Sequence, residues 1–208
     1  MTRIKCCGMT RVEDALLAAR LGADAIGLVF TARSARRVSI EQAVQIRRSL
    51  PPFVSAVALF MDDTEARVRE VIDAVQPDLL QFHGQESDAW CAQFGQRYLK
   101  AIAMGEGAAA LSRLHDYPGA VGLLLDGHGL GEVGGSGRTF DWSQMPRGLT
   151  QPLILAGGLT ADNVAQAVRI ARPWAVDVAS GIETSPGIKD AAKMAALIDA
   201  VRSVATSA

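Results

Sequence analysis

Aromatic side chains make up only 5% of this 208-residue chain, cysteine occurs three times, and 21 Lys and Arg are matched by 22 Asp and Glu. Each shortage excludes something. With no excess of positive charge there is no electrostatic case for nucleic acid or an anionic membrane as a partner. No apolar stretch reaches the ~18 residues of a spanning helix without meeting a charge, as Arg20 and Asp24 show in ALLAARLGADAIGLVF. The start, MTRIKCCGMTR, has no apolar signal core, and a cytoplasmic location is expected. An odd cysteine count (Cys6, Cys7 and Cys91) fits free thiols in a reducing compartment rather than a disulfide framework. Neither a C-x-x-C pair nor a Cys/His set with zinc spacing is present, so no metal and no cofactor are expected. A chain of this length buries roughly 70% of its unfolded surface and needs no staple. One domain over residues 1–208 is the expectation.

What is abundant is alternation. Short runs rich in Val, Ile, Leu and Ala recur at Arg3–Cys7, Ala25–Phe30, Phe53–Phe60, Leu79–His83, Tyr98–Ala103, Val121–Asp126, Leu153–Ala156 and Ala175–Ala179. Helical patterns lie between them at Val12–Leu21, Ile40–Leu50, Glu65–Val75, Ser87–Phe94, Ala108–His115, Asp141–Met145, Ala161–Ile170 and Ala191–Val204. Start signals precede several: Ser39 with Gln42 as a capping box, then Thr64, and Thr160. Eight units over 208 residues leave 26 apiece, close to the least a strand, a helix and two loops require. Apolar strands separated by helices form a parallel sheet with a covered outer face.

Such units close into a (β/α)8 TIM barrel or stay open as a doubly wound sheet. An open sheet would carry its cofactor fingerprint in the first strand–helix turn, where this chain has Cys7-Gly8-Met9-Thr10. Candidate chemical groups instead fall at the ends of several strands: Cys7, His83, Asp126, Gly157-Gly158 and Ser180-Gly181. That distribution predicts a closed barrel, because all its strand ends meet on one face.

Gly157, Gly158, Ser180 and Gly181 follow the seventh and eighth strands and offer unobstructed amides near helix starts. Amides so placed suit a phosphate, so a small phosphorylated molecule is the expected partner. The loop Gly129–Gly134 matches G-x-G-x-x-G, yet no helix opens at its end, and it reads as a cover for the barrel mouth. Asp126 has two readings, a structural carboxylate or a catalytic one. If it points inward, Leu124 does too, and Leu123 and Leu125 face the helices. By the same parity one of Cys6 and Cys7 faces the barrel interior, while Cys6 and Cys91 read as buried fillers. Asp177 shares the inward parity of Ala179, as Lys5 shares that of Cys7, so Lys5 and Asp177 are expected to pair.

Lys5-Cys6-Cys7-Gly8-Met9-Thr10 is similar to the opening strand of the phosphoribosylanthranilate isomerases. Further segments resemble that family in order: Phe30–Val38, Leu80–Glu86, Gly134–Trp142, Leu155–Leu159, Val176–Glu183 and Gly187–Asp190. The resemblance implies an Amadori rearrangement in tryptophan synthesis, with Cys7 as general base, Asp126 as general acid and Arg36 on the anthranilate carboxylate. His83 recurs in the family without a sure chemical role. Cys6 stands where the family usually has an apolar residue, which leaves a one-residue ambiguity in the base. A working Cys7 needs positive charge nearby. A working Asp126 must be held protonated, which either burial or the bound anionic substrate would favour. Alternatives are the histidine-pathway isomerase of the same chemistry, whose first strand ends in Asp, a sugar-phosphate epimerase, whose metal-ligating His and Asp set is not seen, and a non-catalytic metabolite-binding barrel. Monomer and homodimer remain equally open.

Overall fold

Eight parallel strands close into a barrel in chain order: β1 (Arg3–Cys6), β2 (Ala25–Val29), β3 (Ser55–Phe60), β4 (Leu79–Phe82), β5 (Tyr98–Ala103), β6 (Gly122–Asp126), β7 (Leu153–Leu155) and β8 (Ala175–Val178), with β8 pairing back onto β1. This structure, a computed structural model, describes residues 1–129 and 139–205, with the side chains of Glu106, Ala108 and Ala205 outside the description. Most of the glycine-rich loop motif after Gly129, up to Arg138, therefore lies outside the described residues. Helices α1 (Val12–Leu21), α2 (Ile40–Ser49), α3 (Glu65–Val75), α4 (Asp88–Ala92), α5 (Ala108–Ser112), α6 (Val164–Ala171) and α7 (Ala191–Ala205) surround the barrel. Among the described residues no helix is long and apolar enough to cross a membrane.

Strand parity sorts the core into an inside and an outside. Val57, Leu99, Ala101, Leu124, Ile154, Ala156 and Ala175 fill the barrel, whereas Ile4, Cys6, Leu123, Leu125, Val176 and Val178 pack under the helices. Nearer the strand ends, Cys7, Val29 and Leu59 form a separate inner layer. Cys6 therefore faces the helices and Cys7 the interior, and Leu124 points inward as parity requires. The few aromatics are concentrated: Phe30, Phe60, Phe82, Trp90, Phe94 and Tyr98 form one chain of ring contacts on the outside of β2 to β5.

The helix starts follow local chemistry. Ser39 forms the expected capping box with Gln42, and Thr64 caps α3 through the Arg67 amide at 3.3 Å. Two expected helices differ. The Asp141–Met145 pattern yields only a 3-10 turn at Trp142–Gln144, because Asp141 bonds the Ser143 amide and Pro146 holds Met145 extended. The Ala161 start slips to Val164, since Asn163 accepts from the Thr160 amide at 2.9 Å and donates to the Gly158 carbonyl at 2.9 Å, holding 160–163 as a turn. A short hairpin absent from the expected pattern follows β8, with β9 (Glu183–Ser185) and β10 (Ile188–Lys189) joined through Pro186-Gly187. Gly187 has φ +83°, which a type II turn requires of its third residue.

Several strands stop one residue short of their apolar runs. Cys7, Phe30, His83, Ala156 and Ala179 lie just past the ladder, at the C-terminal mouth.

Candidate active site

Cys7, Arg36, His83, Asp126 and Asp177 line one cavity at that mouth, together with Val29, Leu59 and Ala179. The structure thus brings five residues from distant parts of the chain into one hollow. Cys7 is 5% exposed, and its amide still bonds the Val178 carbonyl at 2.8 Å, which fixes the thiol at the top of β1. Gly27 on β2 makes the room: a Cβ there would stand 2.6 Å from the Cys7 Sγ. Gly8 turns the chain away with φ +73°, and a Cβ on it would lie 2.5 Å from the Arg36 Cδ. The glycine after Cys7 is what lets the arginine cross.

Lys5 and Asp177 pair as parity anticipates, Nζ to Oδ1 at 2.9 Å, both buried. Burial works against the Lys5 charge, but Asp177 and Cys7 outweigh it and hold its pKa above the ordinary value. Lys189, brought back by the β9–β10 hairpin, donates to the Cys7 carbonyl at 2.6 Å and to Glu183 at 2.8 Å. Both lysines pull the Cys7 pKa down as the expected chemistry asks. Burial and Asp177 push harder the other way, so the thiol lies above its ordinary range and is neutral in this state.

The opposite wall reverses that logic. Asp126 is 6% exposed, with His128 Nδ1 3.2 Å from Oδ1 and His83 Nε2 3.6 Å from Oδ2. Neither ring nitrogen is oriented to make a hydrogen bond, and the two imidazoles stack at 4.7 Å between centroids. Burial alone would raise the carboxyl, as expected from the sequence. The His128 side chain, His83 and the His128 amide together overcome it, and Asp126 is held below its ordinary pKa. Burial, one of the two influences expected to favour a proton on Asp126, is thus outweighed by its neighbours here. His83 is driven down to about 3, chiefly by burial, and is neutral.

Three arginines compete on the second loop, and the structure separates them. Arg33 and Arg37 are exposed, whereas Arg36 reaches the cavity. Glu183 grips it side-on, with Nε to Oε1 at 2.9 Å and Nη2 to Oε2 at 2.8 Å. Glu183, pressed upward by burial, is held below its ordinary pKa by Arg36 and Lys189. The end-on edge of the guanidinium, Nη1 with the second proton of Nη2, is left for another carboxylate.

The two glycine turns abut. A Cβ on Gly181 would fall 1.9 Å from the Leu159 carbonyl oxygen, so only glycine permits the contact. Gly157 and Gly158 both have positive φ, at +88° and +61°. Ser180 and Gly181 open a 3-10 turn beside them.

Sequence reasoning missed His128 and Glu183. His128 sits between two glycines with no periodic pattern, and Glu183 is 147 positions from its arginine. It also anticipated no metal-ligating set. His83, Asp126 and His128 bring three donor atoms within 4.8 Å of one another, from two strand ends rather than from any local spacing.

Fold and cavity define a (β/α)8-barrel enzyme of the acid–base type, with a thiol and a carboxyl on opposite walls of one small-molecule cleft. Residues 4–200 match the family model described as N-(5'-phosphoribosyl)anthranilate (PRA) isomerase. An N-(5'-phosphoribosyl)anthranilate isomerase from Pseudomonas paraeruginosa is 57% identical over 97% of this chain and 95% of that protein. One from Nitrosococcus oceani is 53% identical over 98% of each. The crystal structure of phosphoribosyl anthranilate isomerase from Thermotoga maritima superposes with TM-score 0.90 at 38% identity, covering 98% of this chain and all of that one. Another phosphoribosyl anthranilate isomerase, in complex with reduced 1-(o-carboxyphenylamino)-1-deoxyribulose 5-phosphate, gives 0.85 at 34% identity, with 98% and 100% covered. The chain belongs to the N-(5'-phosphoribosyl)anthranilate isomerase family, and it is an isomerase.

Proposed function

We propose that this barrel, as one cytoplasmic domain, converts N-(5'-phosphoribosyl)anthranilate to 1-(2-carboxyphenylamino)-1-deoxyribulose 5-phosphate for tryptophan synthesis, with Cys7 as general base and Asp126 as general acid. The observation that carries the assignment is that these two groups line the same cavity from opposite walls. The rearrangement needs both. Asp126 protonates the ribose ring oxygen, the ring opens to an iminium at C1, and Cys7 removes the proton from C2. The enolamine so formed tautomerises, taking a proton from water at C1 and releasing the C2 hydroxyl proton to water, and becomes the ketone with no net oxidation. Cys7 ends protonated and Asp126 ionised, and exchange with solvent resets them.

A Cys7 pKa raised towards the thiol and an Asp126 pKa lowered towards the carboxylate favour the forms in which turnover leaves them, before that reset. Reaching the working state requires a proton on Asp126 and the loss of one from Cys7. An anionic substrate close to Asp126 favours the first, and Lys5 with Lys189 favours the second. Arg36 takes the anthranilate carboxylate on its free edge while Glu183 keeps the guanidinium from swinging. Gly157, Gly158, Ser180 and Gly181 present backbone amides to the phosphate, and His83 lines the cleft beside Asp126. Monomer and homodimer both accommodate this reading, and sedimentation distinguishes them.

The test is a fluorescence assay following loss of phosphoribosylanthranilate. Cys7→Ala is expected to lose activity while Cys6→Ala keeps most of it, because Cys6 faces the helices. The reverse pattern overturns the assignment of the base.

A further inference from the structure

The cluster of His83, Asp126 and His128 has more donor capacity than acid catalysis uses. All three side chains are at least nine-tenths buried. Among the described residues His83 Nε2 and His128 Nδ1 have no hydrogen-bond partner, although each stands within 3.6 Å of a carboxylate oxygen. Buried nitrogens left unpaired beside one carboxylate are costly unless something else engages them. We propose that His83, Asp126 and His128 form a binding site for a first-row transition-metal dication of the zinc type, and that its occupancy closes the acid wall to substrate.

The geometry suits such an ion. Zinc bonds to imidazole nitrogen and carboxylate oxygen are about 2.0–2.2 Å, which places donor atoms of a tetrahedral site roughly 3.4 Å apart. The two measured separations from Asp126, 3.2 and 3.6 Å, bracket that value. The remaining one is no more than 4.8 Å, so one ion reaches both nitrogens only after the stacked rings turn to bring them closer by up to about 1.4 Å. Two imidazoles and one carboxylate select zinc, cobalt or nickel over magnesium or calcium, which require mostly oxygen donors. Neighbouring cations do not forbid the ion, because Lys5 is paired with Asp177, and Lys100 with Glu86 at 3.0 Å.

An outer contact is also in place. The Gln81 amide lies 3.2 Å from His83 Nδ1, and its own Oε1 is buried without a partner. Turned over, that amide presents its oxygen to Nδ1–H and leaves the Nε2 lone pair facing Asp126. A metal-bound imidazole adopts this arrangement, donating its other ring N–H to a protein acceptor.

Binding does not depend on the catalytic reading, whereas the closing of the acid wall rests on Asp126 being the acid. The experiment therefore measures both. Zinc chloride is titrated calorimetrically into the full chain, and cobalt(II) absorption reports the donor atoms. Wild type and Cys7→Ser are expected to bind one zinc alike, with no response to magnesium. His128→Asn and His83→Asn, each checked for a native melting transition, are expected to bind more than about tenfold more weakly. Cobalt bands without a sulfur charge-transfer feature support the site even if one His variant fails to fold. Undiminished zinc binding in both His variants overturns the proposal, as does binding lost only in Cys7→Ser or a sulfur charge-transfer band. Tight zinc binding without inhibition upholds the site and removes Asp126 as the acid.

Discussion

On one wall of the barrel mouth a thiol sits beside two lysines, and on the other a carboxylate sits beside two imidazoles. Both groups are buried, and burial pushes both towards the neutral form. The outcomes differ because the neighbours differ. Lys5 and Lys189 are already engaged by Asp177 and Glu183, so their field at Cys7 is partly spent and the thiol stays neutral. Among the described residues His83 and His128 are paired with no carboxylate but Asp126, and both lower its pKa. An acid–base pair is thus set by what each group's partners are already doing, more than by depth.

The largest way to break the comparison is to remove the charge from the second wall. Asp126→Asn is expected to lower turnover by about 10²–10⁴-fold, since an amide cannot donate to the ring oxygen as an acid does. The assay is the same fluorescence decay, and a rate within a few-fold of wild type would move the acid elsewhere. Next in size is the ion pair under the first wall. Lys5→Met and Asp177→Asn should each cost about 3–5 kcal/mol of folding stability, because each strands a buried charge. Denaturant unfolding of the double variant should show much less than the combined loss, and strict additivity would mean the two do not interact.

A smaller effect tests the rim. Arg36→Met removes the guanidinium and is expected to raise KM by roughly thirtyfold, from about 2 kcal/mol of charged hydrogen bonding, with a lesser change in kcat. A change confined to kcat would place Arg36 in the chemistry rather than in carboxylate binding. The smallest effect concerns the outward thiols. Burial raises Cys6 and Cys91 from 9.0 to about 12, so unfolded chains ionise these groups before folded ones do. Their contribution is complete below pH 9 and is lost as the pH rises towards 12. Thermal melts between pH 9 and 11 should decline less steeply in Cys91→Ala than in wild type, and an unchanged slope would contradict its burial as a thiol.

Most of the barrel was legible because parallel strands and their covering helices impose two short periods that any stretch of chain displays. Parity tied Leu124 to Asp126, split Cys6 from Cys7 without saying which faces in, and paired Lys5 with Asp177 across 172 positions; the family resemblance chose Cys7. The sixth helix failed because Pro146 and the Asp141 side chain act more strongly than a weak apolar pattern. The β9–β10 hairpin was missed since its strands are only three and two residues long. Within the site, residues on strand ends were found and their supports were not. Glu183 on Arg36, Lys189 under Cys7 and His128 against Asp126 are contacts between loops, and no periodicity reports those. The directions in which Cys7 and Asp126 shift follow from these supports, and they outweigh the burial that the sequence reading named as one influence on Asp126.

The account turns on one inward-facing thiol in a chain of three. The direct measurement is mass-spectrometric mapping of iodoacetamide labelling, with and without the reduced 1-(o-carboxyphenylamino)-1-deoxyribulose 5-phosphate held by the structural relative. Cys7, which lines the cavity, is expected to be the residue labelled, and the ligand is expected to block it. Labelling of Cys6 or Cys91 instead, or labelling of Cys7 that the ligand leaves unchanged, would contradict the account.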